Sequence, residues 1–190
     1  MQELSDLEQS ERNMEENSET KIAFEDLNLD ERLIKAAKEA GFYYCTPIQA
    51  ETLPLLLSGL DVAGQAQTGT GKTAAYLLAL LNCLITNETI DRNTPRSSVS
   101  SPRGLVLAPT RELAIQIFND VKQLGVYVDL KVGLVYGGID YELQRRQVSE
   151  GIDILIGTPG RIIDFLKQGL FTFKKVEVLV LDEADRMFDL

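Results

Sequence analysis

From Phe24 onward, short apolar runs alternate with stretches whose apolar residues recur every three or four positions. The first pattern suits strands buried on both faces and the second suits helices with one buried side, so their alternation predicts an α/β domain with a mostly parallel sheet flanked by helices. Leu33, Ile34 and Ala37 share one face of a helix over about Asp30 to Ala40 that stops at Gly41. A second helix opens at Thr46-Pro47, with proline in the first helical position, and ends before Gly59. Candidate strands lie around Val62-Ala63 and at Gly104 to Ala108, Lys131 to Val135, Asp153 to Ile156 and Val176 to Leu181. Helices fill most of the gaps. Thr86 to Pro102, which includes Asn93-Thr94-Pro95, has neither periodicity nor apolar bulk and reads as a surface loop. The longest apolar run, Ala74 to Leu81, is far below membrane-spanning length.

Composition bounds what such a domain can do. The chain has 190 residues, 44% of them hydrophobic, enough for one sizeable core. Its net charge of -10 argues at first sight against a nucleic-acid partner. Location changes that picture: Met1 to Lys21 carries Glu3, Asp6, Glu8, Glu11, Glu15, Glu16 and Glu19 against Arg12 and Lys21, half of the excess. The expected organisation is a disordered acidic tail over 1–21 and one domain over 22–190. There is no histidine, which removes histidine triads and histidine-ligated metals together. Cys45 and Cys83 are far apart and lack CxxC spacing, so neither a disulfide framework nor a zinc site is expected, and a cytoplasmic location is.

Each candidate strand is followed by a cluster of distinctive residues, and parallel sheets bind ligands at their carboxyl edge. After the first comes Ala66-Gln67-Thr68-Gly69-Thr70-Gly71-Lys72-Thr73, opening the apolar helix Ala74 to Leu84. Strand, glycine-spaced loop, Lys-Thr and helix together make a phosphate-binding loop, with Ala66 where the strict pattern has glycine. The glycines let successive N–H groups face phosphate oxygens, Lys72 reaches the β and γ phosphates, and the Thr73 hydroxyl ligates Mg²⁺. After the last candidate strand come Asp182 and Glu183. Asp182 is the second candidate magnesium ligand, partly through water, and Glu183 the acceptor of a proton from attacking water, so Lys72 and Glu183 are the candidate catalytic residues.

The run Asp182-Glu183-Ala184-Asp185, taken with the phosphate loop, Pro109-Thr110-Arg111-Glu112-Leu113-Ala114, Gly137-Gly138 and Thr158-Pro159-Gly160-Arg161, resembles the DEAD-box RNA helicases in content and order from about Phe24 to Leu190. The resemblance implies a RecA-like domain, ATP with Mg²⁺, and an RNA partner held by its sugar-phosphate backbone without base reading. Thr46-Pro47-Ile48-Gln49, with Gly41-Phe42 and the upstream Phe24, is similar to the family's Q motif, in which Gln49 bonds the adenine edge and Phe24 packs on the ring. Thr46-x-x-Gln49 is equally a capping box, and one role does not exclude the other. The resemblance assigns RNA contacts to Pro109, Thr110, Arg111, Gly137, Gly138, Thr158, Gly160 and Arg161. Thr110 and Thr158 are also candidate N-caps, and helix N-termini bind anions. Cys45 departs from the family's usual proline. Cys45 to Gln49, Asp61 to Gln65 and Arg186 to Leu190 resemble the RhlB-like bacterial branch, which implies RNA-decay machinery as a partner.

In the family, Asp185 couples hydrolysis to strand separation through a Ser-Ala-Thr segment, and a second RecA-like domain supplies further arginines. Neither follows Asp185 in this sequence, so a C-terminally truncated, nearly inactive segment of such a helicase is the expectation. A DNA-directed or other RecA-like ATPase, and a nucleotide- or RNA-binding module without turnover, are the competing classes.

Overall fold

The computed structural model describes residues 21–87 and 100–188. The expected acidic tail lies almost wholly outside the described residues, as does most of the expected 86–102 loop. A 3₁₀ turn at Phe24–Asp26 leads to helices α1 (Glu31–Glu39), α2 (Pro47–Leu57) and α3 (Lys72–Thr86). Strands and helices then alternate as β1 (Gly104–Leu107), α4 (Arg111–Leu124), β2 (Val132–Val135), α5 (Tyr141–Ser149), β3 (Ile154–Gly157), α6 (Pro159–Lys167), β4 (Val178–Leu181) and α7 (Ala184–Phe188).

The helix boundaries follow local chemistry. Asp30 caps α1 by accepting from the Arg32 N–H at 2.9 Å, and Arg32 in turn holds the Asp30 carboxyl below its usual range. Pro47 opens α2 as its spacing predicted. Helix α3 is apolar on nearly all sides and lies inside the larger core cluster, between the other helices and one face of the sheet.

The sheet is parallel throughout, in the order β2-β3-β1-β4. Its inner strands β1 and β3 are buried along nearly their whole length, whereas β2 and β4 alternate. Leu179 and Leu181 of β4 are 56% and 51% exposed, on one face of an edge strand. A second, smaller cluster built on Leu105, Leu155, Ile162, Phe165 and Phe171 covers the other face. Because all strands run one way, Pro109, Tyr136, Thr158 and Asp182 all emerge at the same edge.

At the opposite edge the Arg103 guanidinium bonds the Glu177 carboxylate and donates to the Leu84 carbonyl at 2.9 Å. Burial raises the Glu177 carboxyl pKa, but Arg103 and Asn87 outweigh it and hold the group below its usual range. This clasp ties the end of α3 to the starts of β1 and β4.

One expectation is corrected. Val62-Ala63 is not a strand: no residue of the 60–71 stretch pairs with the sheet or forms a bridge. The segment lies instead along α2, where Gly64 faces Ile48 and Thr52. Apolar β-branched character marks a segment as fit for a strand, but a strand also needs a hydrogen-bonded neighbour, and β4 does not meet this one. Cys45 and Cys83 are both free.

Candidate functional site

The loop 66–71 enters α3 through two glycines with positive φ, Gly69 at +81° and Gly71 at +94°, the latter capping the helix. The first N–H groups of α3 have no intrahelical acceptors and open onto this loop. The Lys72 ammonium donates to the carbonyls of Ala66 and Gln67, the second at 3.2 Å, and the Thr70 hydroxyl donates to the Gln67 carbonyl at 2.8 Å. Lysine, hydroxyl and helix end therefore converge on one small concave turn.

Helix α2 grips that turn from behind. Gln49 is 1% exposed; its Nε2 donates to the Gly71 carbonyl at 3.0 Å while its Oε1 accepts from the Thr46 N–H at 2.9 Å. The Thr46 hydroxyl donates to the Thr70 carbonyl at 2.8 Å. Thr46 and Gln49 thus start α2 and fasten the phosphate loop at once. Phe24 is not brought to this surface: its ring is 1% exposed and packs within the core cluster that holds Leu33, Leu53 and α3.

Asp182 stands at the end of β4 facing α3. Its Oδ2 accepts from the Tyr76 hydroxyl at 2.8 Å and its Oδ1 from the Glu183 N–H at 3.0 Å. Burial, followed by the Asp182 charge, pushes the Tyr76 phenol far above its ordinary range, so it stays protonated and donates. Glu183 has φ +49°, the one positive value on a non-glycine among the described residues, and its carboxylate pairs with Arg186 at 3.1 Å. That conformation costs about 1–2 kcal/mol. Among the described residues no three histidine, cysteine or carboxylate groups gather into a metal cage. The Thr73 hydroxyl and Asp182 carboxylate supply hard oxygen donors beside a phosphate loop, a set that fits Mg²⁺, which keeps water and phosphate oxygens in its shell. Asp185 lies one residue into α7.

Farther along the same edge, Pro109, Thr110, Arg111, Glu112, Gly137, Gly138 and Thr158 line one open cleft. Thr110 caps α4, its hydroxyl accepting from the Leu113 N–H at 3.2 Å, whereas Thr158 makes no side-chain cap bond. Arg111 donates to the Gly137 carbonyl at 3.4 Å and lies across Gly138, where a β-carbon would come within 2.5 Å of it. Gly138 has φ +87°, so glycine serves both the turn and the close approach. Gly160 is open, with nothing within 4 Å of a β-carbon built there. Arg161 is set apart from the cleft: its guanidinium stacks over Tyr141 and Phe165, and one of its nitrogens is buried without a partner. Two contributors escaped the sequence reading. Gln144 is buried and pins the Gly137-Gly138 turn through the Tyr136 N–H, at 2.7 Å, and the Tyr136 carbonyl, at 3.2 Å; a lone glutamine in a polar helix carries no signal of this. Tyr76 counts as apolar in a helical run, and its partner is 106 residues away.

The family description "DEAD/DEAH box helicase" matches residues 46–190, from the start of α2 through the carboxylates after β4. This chain belongs to the DEAD/DEAH box helicase family. It is 52% identical over 171 residues to the ATP-dependent RNA helicase RhlB of Pseudoalteromonas atlantica, covering 90% of this chain and 39% of that protein. Against the protein of the same name from Idiomarina loihiensis the identity is 56%, with the same coverage. The relationship supports the RhlB-like bacterial branch. A crystal structure of a DEAD box protein from the hyperthermophile Methanococcus jannaschii superposes with a TM-score of 0.76 at 33% identity, over 88% of this chain and 43% of that one. That of a hypothetical ATP-dependent RNA helicase from Sulfolobus tokodaii gives 0.73 at 36% identity, over 85% and 43%. The fold is therefore the RecA-like α/β domain of DEAD-box proteins, and the chain spans about two fifths of the length of the curated relatives it matches. The loop at 66–73 and the run Asp182-Glu183-Ala184-Asp185 both lie within the matched residues, at the carboxyl edge of the sheet or beside it.

Proposed function

We propose that this chain is the ATP-binding part of an ATP-dependent RNA helicase that couples ATP binding and hydrolysis to the opening or remodelling of RNA duplexes. The observation that carries the reading is the shared edge: the phosphate loop, the Asp182-Glu183 pair and the cleft around Arg111 all open on one side of one sheet. Lys72 and the N–H groups of Gly69 to Thr73 hold the phosphates, and Thr73 and Asp182 hold magnesium. Bound magnesium neutralises charge on the β and γ phosphates. Glu183 takes a proton from the attacking water. Gln49, already bonded to Gly71, reads the adenine edge with its remaining amide capacity, and Phe24 supports that segment from inside the core.

RNA lies in the cleft of Pro109, Thr110, Arg111, Gly137, Gly138 and Thr158, with Gly160 and Arg161 beyond it. Backbone N–H groups, glycine turns and the exposed Arg111 guanidinium suit a phosphodiester chain and leave bases unread. Such a grip needs few cations, which reconciles it with an acidic protein. Arg111→Ala is expected to weaken binding of a single-stranded RNA equally for all sequences and to lower the slope of log affinity against log salt by about one. An unchanged slope would remove Arg111 from the phosphate contacts. The complete protein works in the cytoplasm and closes a second RecA-like domain over the same edge.

The deciding experiment measures Mg²⁺-dependent ATP hydrolysis by the full-length protein with single-stranded RNA and with DNA of the same sequence. Stimulation by RNA alone supports the reading. Equal stimulation by both selects a general RecA-like ATPase, and nucleotide binding without turnover selects a binding module.

A further inference from the structure

Tyr76 follows the candidate magnesium ligand Thr73 by three residues on α3, so both side chains project from one face of one helical turn. Its hydroxyl donates to Asp182 Oδ2 at 2.8 Å and lies beside the Thr73 side chain. Its ring packs against the core cluster. A carboxylate at a strand end can rotate about two bonds, and a single hydrogen bond leaves one rotation open. Asp182 has two, one on each oxygen and from different elements: the Glu183 N–H to Oδ1 and the Tyr76 hydroxyl to Oδ2. Each oxygen keeps a lone pair for a metal or its water. The phenol, protonated and neutral, holds the carboxylate without cancelling the charge that a cation needs.

We infer that Tyr76 is a positioning residue for the magnesium site, its hydroxyl fixing the Asp182 carboxylate in the orientation that meets a cation held by Thr73. This rests on the reading of the 66–73 loop as a Mg²⁺-ATP site and goes beyond it by assigning a function to a residue outside every motif. A phenylalanine would fill the same space in the core, so the hydroxyl alone is at issue. Groups that orient metal ligands in this way affect metal affinity about tenfold or more.

The test uses the 190-residue chain, a fluorescent ATP analogue and a Mg²⁺ titration. Tyr76→Phe is expected to raise the half-saturating Mg²⁺ concentration about tenfold, while affinity for the analogue in EDTA and the thermal midpoint stay at wild-type values. In an Asp182→Asn background, Tyr76→Phe is expected to have no further effect on the Mg²⁺ response. An unchanged Mg²⁺ midpoint in Tyr76→Phe overturns the inference, as does an equal loss of affinity with and without Mg²⁺, which marks a packing role. A wild-type chain whose analogue binding ignores Mg²⁺ overturns the reading of the site, and the inference with it.

Discussion

Replacing Glu183 by glutamine in the full-length protein is expected to lower ATP turnover by about 10²- to 10⁴-fold, the usual contribution of a positioned general base, while nucleotide affinity stays close to wild type. Glu183 makes no contact that fastens the phosphate loop; its neighbour is Arg186, on the first turn of α7. Glutamine matches it in size and keeps the left-handed backbone no worse satisfied, but it cannot accept a proton. Single-turnover hydrolysis and a binding titration with a fluorescent nucleotide separate the two effects. Hydrolysis at the wild-type rate would strip Glu183 of its role, and loss of binding would make it part of the nucleotide cradle instead.

The second large effect is expected from Gly71→Ala. A β-carbon at this position would sit 2.4 Å from Gln49 Nε2 and 3.1 Å from the Thr46 hydroxyl, at a φ of +94°. The backbone alone costs about 1–2 kcal/mol in a residue with a side chain. Displacing Gln49 leaves a buried amide without partners, which costs about 1–3 kcal/mol more. Expressed wholly in the binding conformation of the loop, the sum of about 2–5 kcal/mol corresponds to a loss of nucleotide affinity of about thirtyfold to several thousandfold. Gly69→Ala is the internal comparison: its φ is +81° but nothing lies within 4 Å of the added carbon, so it bears only the backbone cost. Equal losses in the two variants would show that the contact between α2 and the loop contributes nothing to nucleotide binding.

Much of this could be read in the residues. Apolar periodicity located α1, α2 and α3, while the later helices were expected only as fillers of the gaps between strands, and proline, glycine and capping residues marked the ends of α1 and α2. The buried inner strands were legible because a run such as Ile154, Leu155 and Ile156 has no polar alternative. Val62-Ala63 has the same local character and failed as a strand because pairing is decided by distant neighbours. The same limit explains Thr46 and Gln49: their spacing announced a cap and the family resemblance implied an adenine contact, but nothing near them in sequence says that Gly71 lies within reach. Phe24, expected to pack on the adenine ring and found buried in the core cluster, shows that a motif fixes which residues cooperate without fixing which of them face the ligand. Arg161, placed by its motif among the cations of the cleft, is held by Tyr141 and Phe165, and neither ring could be assigned to it from spacing. Tyr76 was invisible for the opposite reason, since its ring satisfied the helical pattern and its hydroxyl left no trace in it.

The clasp at the far edge of the sheet has a practical side. Asn87 donates to Glu177 at 3.1 Å, and Ser100 bridges to Phe171, so the chain is fastened just before and just after the stretch 88–99. The first stands just before β4 and the second a few residues ahead of β1, at the edge of the sheet opposite Asp182 and the Arg111 cleft. Asn87 and Ser100, both described and both remote from the candidate site, are therefore suitable positions for attaching a fluorophore or an affinity handle, giving a reporter that rides on the domain and leaves undisturbed the surface whose behaviour it is meant to record.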